Sequence, residues 1–152
     1  MSFRTQLQKA SLVSTLVMAG FAGVATAPPS LAGWAPKPEP TFWREVRRSV
    51  MDQDPSKQPE WIFMEAKMSP KVDAAEYMGD PRRRDEIVTF QALLLVRRGE
   101  SSPWDARRVS MRAQCLDGVL QRQNQEGIWS AYPGREGVEA RVNWICAQAP
   151  KL

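Results

Sequence analysis

The chain has 152 residues, 43% of them hydrophobic and 25% charged, with a formal net charge of +4 and no histidine. Lack of imidazole removes the usual serine and cysteine triads and most zinc and copper sites. Two widely separated cysteines make neither a redox CxxC pair nor a Cys-rich metal site, and no G-x-S-x-G, P-loop, dinucleotide or EF-hand pattern occurs.

In chain order the first element is a targeting segment. Arg4 and Lys9, with no acidic residue beside them, form a positive n-region, and Ala10 to Ala27 is an apolar, small-residue h-region. Ser11, Ser14, Gly20, Gly23 and Thr26 dilute that run below the roughly 20 strongly apolar residues a spanning helix needs. Of two small-x-small sites, Ala25-Thr26-Ala27 is followed by Pro28, an awkward neighbour for a scissile bond, and Ser30-Leu31-Ala32 by Gly33. Cleavage is expected after Ala32, so residues 1–32 read as a signal peptide, with an uncleaved N-terminal anchor as the alternative. No cysteine follows the h-region, which argues against a lipoprotein anchor, and no transmembrane span is expected after cleavage. The expected location is outside the cytoplasm, in the bacterial periplasm or at the cell surface.

The 120 residues that remain suffice for one domain with a modest core. They carry 19 basic residues against 17 acidic ones, a balance that together with export excludes nucleic acid as a partner. An oxidising compartment favours pairing Cys115 with Cys146, with two buried thiols as the alternative.

Residues 33–40 (GWAPKPEP) carry three prolines and read as a Pro-rich tether. Thr41 is expected to cap a short helix in which Trp43, Val46 and Val50 share a stripe and Arg44, Arg47 and Arg48 lie off it. After the Asp54-Pro55 and Gln58-Pro59 breaks, Trp61 to Met68 reads as the first strand. Ser69 to Asp85 is polar and broken by Pro70, Gly79 and Pro81, with room only for a short edge strand at Glu76-Tyr77-Met78.

From Glu86 to Arg98, Val88, Phe90, Ala92, Leu94 and Val96 line one face, with Leu93 and Leu95 making the middle of the other apolar too; this predicts the central strand. Val109, Met111, Ala113 and Cys115 alternate with polar residues, the pattern of a half-buried antiparallel strand. Asp117-Gly118 should then turn the chain into an edge strand from Val119 to Gln125. Residues 137–146 fit both a helical stripe and strict alternation; Glu139, Ala140 and Arg141 favour helix. Together these elements predict an α+β domain at residues 41–148: an antiparallel sheet of four to six strands, flanking N- and C-terminal helices, and one disulfide.

Candidate functional residues are few. Arg82, Arg83 and Arg84, with Trp104 in a Ser-Pro-Trp loop, are the candidate binding surface, since arginine beside exposed tryptophan is the composition of interface hot spots. Such a surface suits a protein or an anionic envelope component. Its alternative is a solvated edge balanced by Asp80, Asp85 and Glu86. Asp73, Glu76, Asp80, Asp85 and Glu86 are the acidic residues available for acid–base work. No residue is assigned as catalytic, and none to a metal or cofactor.

A strand opening at Trp61, a tyrosine segment at Glu76-Tyr77-Met78 and a polar basic turn precede the long strand at Ile87-Val88-Thr89-Phe90. A strand ending in Cys115, a hairpin and a closing Cys146 complete an order that resembles the surface-adhesin protein E type of small exported domain. The resemblance covers roughly residues 61–146 and carries over only Trp61 and the two cysteines. It implies an antiparallel sheet with flanking helices, stapled from Cys115 to Cys146, and interaction at the cell surface or in the periplasm. The reading that follows is an exported, non-enzymatic binding module, possessing no cofactor. The alternative is a small periplasmic hydrolase or lyase working through carboxylates.

Overall fold

The computed structural model describes residues 33–51, 58–132 and 137–149; the segment expected to be a signal peptide (residues 1–32) and the Asp54-Pro55 break lie outside the described residues. Helix α1 (Thr41–Val50) precedes strands β1 (Ile62–Lys67), β2 (Asp73–Arg84), β3 (Ile87–Arg97), β4 (Asp105–Gln114), β5 (Val119–Gln123) and β6 (Trp129–Ala131), and helix α2 (Val138–Gln148) closes the domain. Each strand pairs antiparallel with the next, so the six-stranded sheet keeps chain order from β1 to β6. The α+β architecture and the central position of β3 are as the periodicity predicts, and at residues 137–146, where periodicity fits helix and strand alike, the chain is the helix that Glu139, Ala140 and Arg141 favour. No helix among the described residues is long and apolar enough to cross a membrane.

Both faces of the sheet carry a core because β3 is apolar on both. Met78, Val88, Phe90, Ala92, Met111, Ala113 and Leu120 pack beneath Val142, Ile145 and Cys146 of α2. On the opposite face Phe63, Ala75, Tyr77, Leu93 and Leu95 pack with Trp43 and Val46 of α1. The Tyr77 hydroxyl donates to the Trp43 carbonyl at 3.2 Å, so the polar tip of a fully buried ring is satisfied. A disulfide joins Cys115, just beyond β4, to Cys146 of α2, with the Cα atoms 5.9 Å apart, and so fastens the helix to the sheet.

Four local expectations are corrected. Residues 73–84 are not a polar stretch with a short edge strand but a twelve-residue strand between β1 and β3. Its polar groups find distant partners: Asp73 accepts from Arg97 at 2.6 Å and Glu76 from Arg141 at 3.3 Å. The Gly79-Asp80-Pro81 interruption is absorbed in a break of register between Gly79 and Arg82, with Asp80 at φ 52°. Thr41 is the first helical residue and does not cap α1; Pro40 holds the N-cap position, and its carbonyl accepts from the Arg44 amide at 3.1 Å.

The edge beyond β5 is taken by β6, whose three residues pair with Gln121, Arg122 and Gln123. Finally, residues 33–40 have neither helix nor strand, as their prolines dictate, but they are docked. The Trp34 ring meets Trp144 edge-on at 5.5 Å, and Glu39 accepts from Arg47 at 3.0 and 3.1 Å and from Arg44 at 3.3 Å.

Candidate functional site

The residues singled out in the sequence do not form one surface. Arg84 pairs with Ile87 at one end of β3, whereas Trp104 immediately precedes Asp105, which pairs with Val96 at the other. Arg82 is exposed and bridges to Asp80 at 2.9 Å; Arg84 is exposed. Arg83 is turned inward, donating to the carbonyls of Asp85 at 3.0 Å and Cys146 at 3.1 Å and to the Glu86 carboxylate at 3.0 Å. It fastens the β2–β3 turn to α2. Trp104 packs against Trp43 and Phe42, with the Arg97 guanidinium 4.6 Å above its ring. Both Arg83 and Trp104 therefore serve the fold.

The acidic residues are also dispersed. Asp80 sits exposed at the register break within β2 and Asp85 in the β2–β3 turn, at φ 52° and 53°. Asp73 lies against Arg97 and Glu86 against Arg83. No group of three or more His, Cys, Asp or Glu among the described residues is placed to hold a metal ion.

What the tertiary structure adds is two half-faces of the sheet that no described helix covers. On the α2 face, β3 is apolar from Val88 to Val96, but α2 packs over Val88, Phe90 and Ala92. Leu94 and Val96, with Ala74 paired to Val96 and Glu76 paired to Leu94, are left as the floor of a cleft of about 780 Å³. Glu65, Lys67, Val72 and Tyr132 complete its wall. Glu76 is 6% exposed, and burial pushes its carboxyl above the usual carboxylate range against the opposing pull of Arg141. The Tyr132 hydroxyl is also pushed up, first by burial and then by the Glu76 charge. Arg141 Nη2 lies 3.3 Å from Glu76 Oε2 and 3.5 Å from Glu65 Oε1, and the guanidinium is stacked 5.0 Å from the Trp34 ring.

On the α1 face the odd positions of β3 change character along the strand. Leu93 and Leu95 lie under α1, while Thr89 and Gln91 continue into a polar platform on β4 and β5. Gln91 donates to Ser110 at 3.2 Å, and Gln114 and Arg112 donate to Gln121 at 3.0 and 2.6 Å. The Arg112 guanidinium stands 4.5 Å over the Trp129 ring and that of Arg108 stands 5.6 Å over Trp61. A recess of about 260 Å³ opens on this face between Asp80, Arg82, Thr89, Gln91, Ser110 and Trp129.

No family model, curated protein or solved structure matches this chain.

The functional reading therefore rests on the geometry. The platform arginines, Arg108 and Arg112, are visible in the sequence as outward residues of an alternating strand. Their pairing with Trp61 and Trp129 is not, because those rings arrive from β1's leading edge and from β6. Glu76 is hidden in a stretch whose prolines and charges read as loop. The signal that marks it is its place between Ala75 and Tyr77-Met78, a run too apolar for a solvated turn.

Proposed function

We propose that this protein is an exported, non-enzymatic binding module of the bacterial envelope that engages an acidic polysaccharide through the polar platform on the α1 face. The observation that carries the reading is the Arg112–Trp129 stack within the Gln91, Ser110, Gln114 and Gln121 hydrogen-bond array. Arginines held over indole rings lose little rotamer freedom on binding and keep donors available to a carboxylate or sulfate. Arg82, Arg108 and Arg112 outnumber Asp80 here, so the half-face is cationic although the mature chain is nearly neutral. A flat array of amides, hydroxyls and an indole suits sugar hydroxyls and ring faces. The resemblance to surface-adhesin protein E domains points the same way, toward contact at the cell surface.

The carboxylate-dependent hydrolase or lyase is the weaker reading, because the buried acid available to it, Glu76, is engaged by Arg141. The test is an array of acidic and neutral glycans probed with the chain beginning at Gly33. Retention by acidic glycans should fall as salt is raised, and an Arg108→Ala/Arg112→Ala variant should bind about tenfold or more weakly. Equal binding by that variant would overturn the platform as the site, and capture of an envelope protein with no glycan binding would replace the polysaccharide by a protein partner. Turnover of a glycan or ester that is lost in Glu76→Gln would overturn the non-enzymatic reading.

A further inference from the structure

Half of one edge of β4 lies open. Strand β5 pairs only with residues 111–114 of β4, whereas β3 pairs with the whole strand in unbroken register from Gln114 to Asp105. Residues 105–110 therefore have β3 on one side and no described strand on the other. The direction of their backbone groups follows from the register. Cys115 donates its amide to the Glu86 carbonyl at 2.8 Å, and in an antiparallel ladder every second residue bonds to the same neighbour. The odd-numbered residues of β4 thus bond to β3, and Ala106 and Arg108 turn their N–H and C=O groups outward. Both residues are exposed.

Proteins commonly blunt such an edge with proline, a bulge or charge. The unpaired half of β2 beyond Met78 has the first two, in Pro81 and the register break between Gly79 and Arg82. The free half of β4 has neither, and what it carries is positive charge. Where β5 parts from β4 a recess of about 880 Å³ opens, with Arg107, Arg108 and Val109 on the β4 side and Arg122 and Glu126 on the other. Three arginines share this lining with one carboxylate, and counting Asp105, which bridges to Arg107, still leaves the edge cationic. Alternation sends Arg107 and Val109 to the α2 face, where Arg122 also lies as the partner of Met111. Arg108 is on the α1 face, donating to Gln58 and standing over the Trp61 ring.

Charge selects the occupant. A second copy of this chain added antiparallel here would set the Arg107–Arg108 pair of one copy against that of the other, and like charges opposed across strands are destabilising. An extended acidic peptide does the reverse. Its backbone completes the outward groups of Ala106 and Arg108, and two successive carboxylates, which a strand sends to opposite faces, meet Arg108 on one side and Arg107 with Arg122 on the other.

We propose that the free edge of β4 receives an extended acidic segment of a partner protein by antiparallel strand addition, its backbone on Ala106 and Arg108 and its adjacent carboxylates on Arg108 and Arg107.

The probe is the blocked hexapeptide Thr-Val-Glu-Glu-Val-Thr, titrated into the ¹⁵N-labelled chain beginning at Gly33, with Thr-Val-Lys-Lys-Val-Thr as its charge-reversed counterpart. At saturation the acidic peptide should slow hydrogen exchange of the Ala106 and Arg108 amides about tenfold or more, while the Arg107 and Val109 amides, already bonded to β3, change little. The lysine peptide should bind about tenfold or more weakly. Ala106→Pro removes an outward donor and no bond to β3, so the chain should stay folded and lose the peptide. Arg107→Glu/Arg122→Glu, which alters only exposed side chains, should weaken the acidic peptide about tenfold or more. Absence of saturable binding, equal binding of the two peptides, or undiminished binding by either folded variant overturns the proposal. So does a dimer of the chain alone that Ala106→Pro makes monomeric, which would put a second copy on this edge. None of these results bears on the platform, since glycan retention is measured without peptide and Arg107 and Arg122 lie on the other face of the sheet.

Discussion

An Arg141→Met variant keeps most of the length and the apolar stem of the side chain but removes the guanidinium that Glu76 and Glu65 face. The side chains of Arg141 and Glu76 are 7% and 8% exposed, so the variant leaves the Glu76 carboxyl buried without this counter-charge. Breaking a buried pair from one side costs about 3–5 kcal/mol, a large share of the roughly 5–15 kcal/mol that holds a domain together. The loss depends on pH with a definite sign. Burial already raises the Glu76 pKa above its value in the unfolded chain. Such a carboxyl contributes its full stability below the ordinary carboxylate range and loses it as pH rises through the folded value.

Removing Arg141 takes away the influence that lowers that value, so the window of loss extends to higher pH in the variant. Urea denaturation of both proteins at about pH 5 and about pH 8 reads this directly, and the deficit of the variant should be larger at the higher pH. An Arg141→Met/Glu76→Leu double variant, which removes both charges, should regain most of the loss, because apolar replacements of buried pairs are often neutral. A deficit equal at both pH values, or no recovery in the double variant, would refute the reasoning.

Two further predictions concern the frame around these sites. The disulfide spans 31 positions, and loss of that loop constraint should cost about 3–4 kcal/mol, lowering the melting temperature by about 10–15 °C. Identical thermal melts with and without reductant, or for a Cys115→Ala/Cys146→Ala variant, would show that the bond does not constrain the fold. In Gly79→Ala the new Cβ would lie 2.8 Å from Trp61 Cζ3 and 2.9 Å from Pro59 Cγ, and the buried indole has little space to retreat. A loss of about 1–3 kcal/mol is expected with a change in tryptophan fluorescence; an unchanged denaturation midpoint would contradict the packing described for Trp61.

The strands that alternate cleanly could be read directly from the chain. In β3 and β4 the choice of inward residue is made by local composition, and a strand exposes that choice every second position. The disulfide was legible for a different reason: two cysteines in a chain read as exported have one possible pairing. The candidate site was far less legible. Arg82, Arg83 and Arg84 are adjacent in sequence, but alternation and the β2–β3 turn send them to different neighbours, so a charge run did not become a charged surface. Trp104 looks exposed in a Ser-Pro-Trp loop, yet Trp43, Phe42 and Arg97 converge on it from other elements.

The sequence by itself determined the class of fold, the central strand and the cysteine pair, because each is written in residues that are neighbours or share a local period; at residues 137–146, where helical stripe and alternation both fit, the tertiary structure decided for the helix. Only the tertiary structure decided that residues 73–84 are an interior strand, since the partners that satisfy Asp73 and Glu76 stand 24 and 65 positions away. It alone decided where each helix covers the sheet, and therefore which halves are left open. An even-numbered face that is apolar from Val88 to Val96 says that something must pack there; α2 closes part of it, and the remainder is a cleft because no described helix lies over Leu94 and Val96.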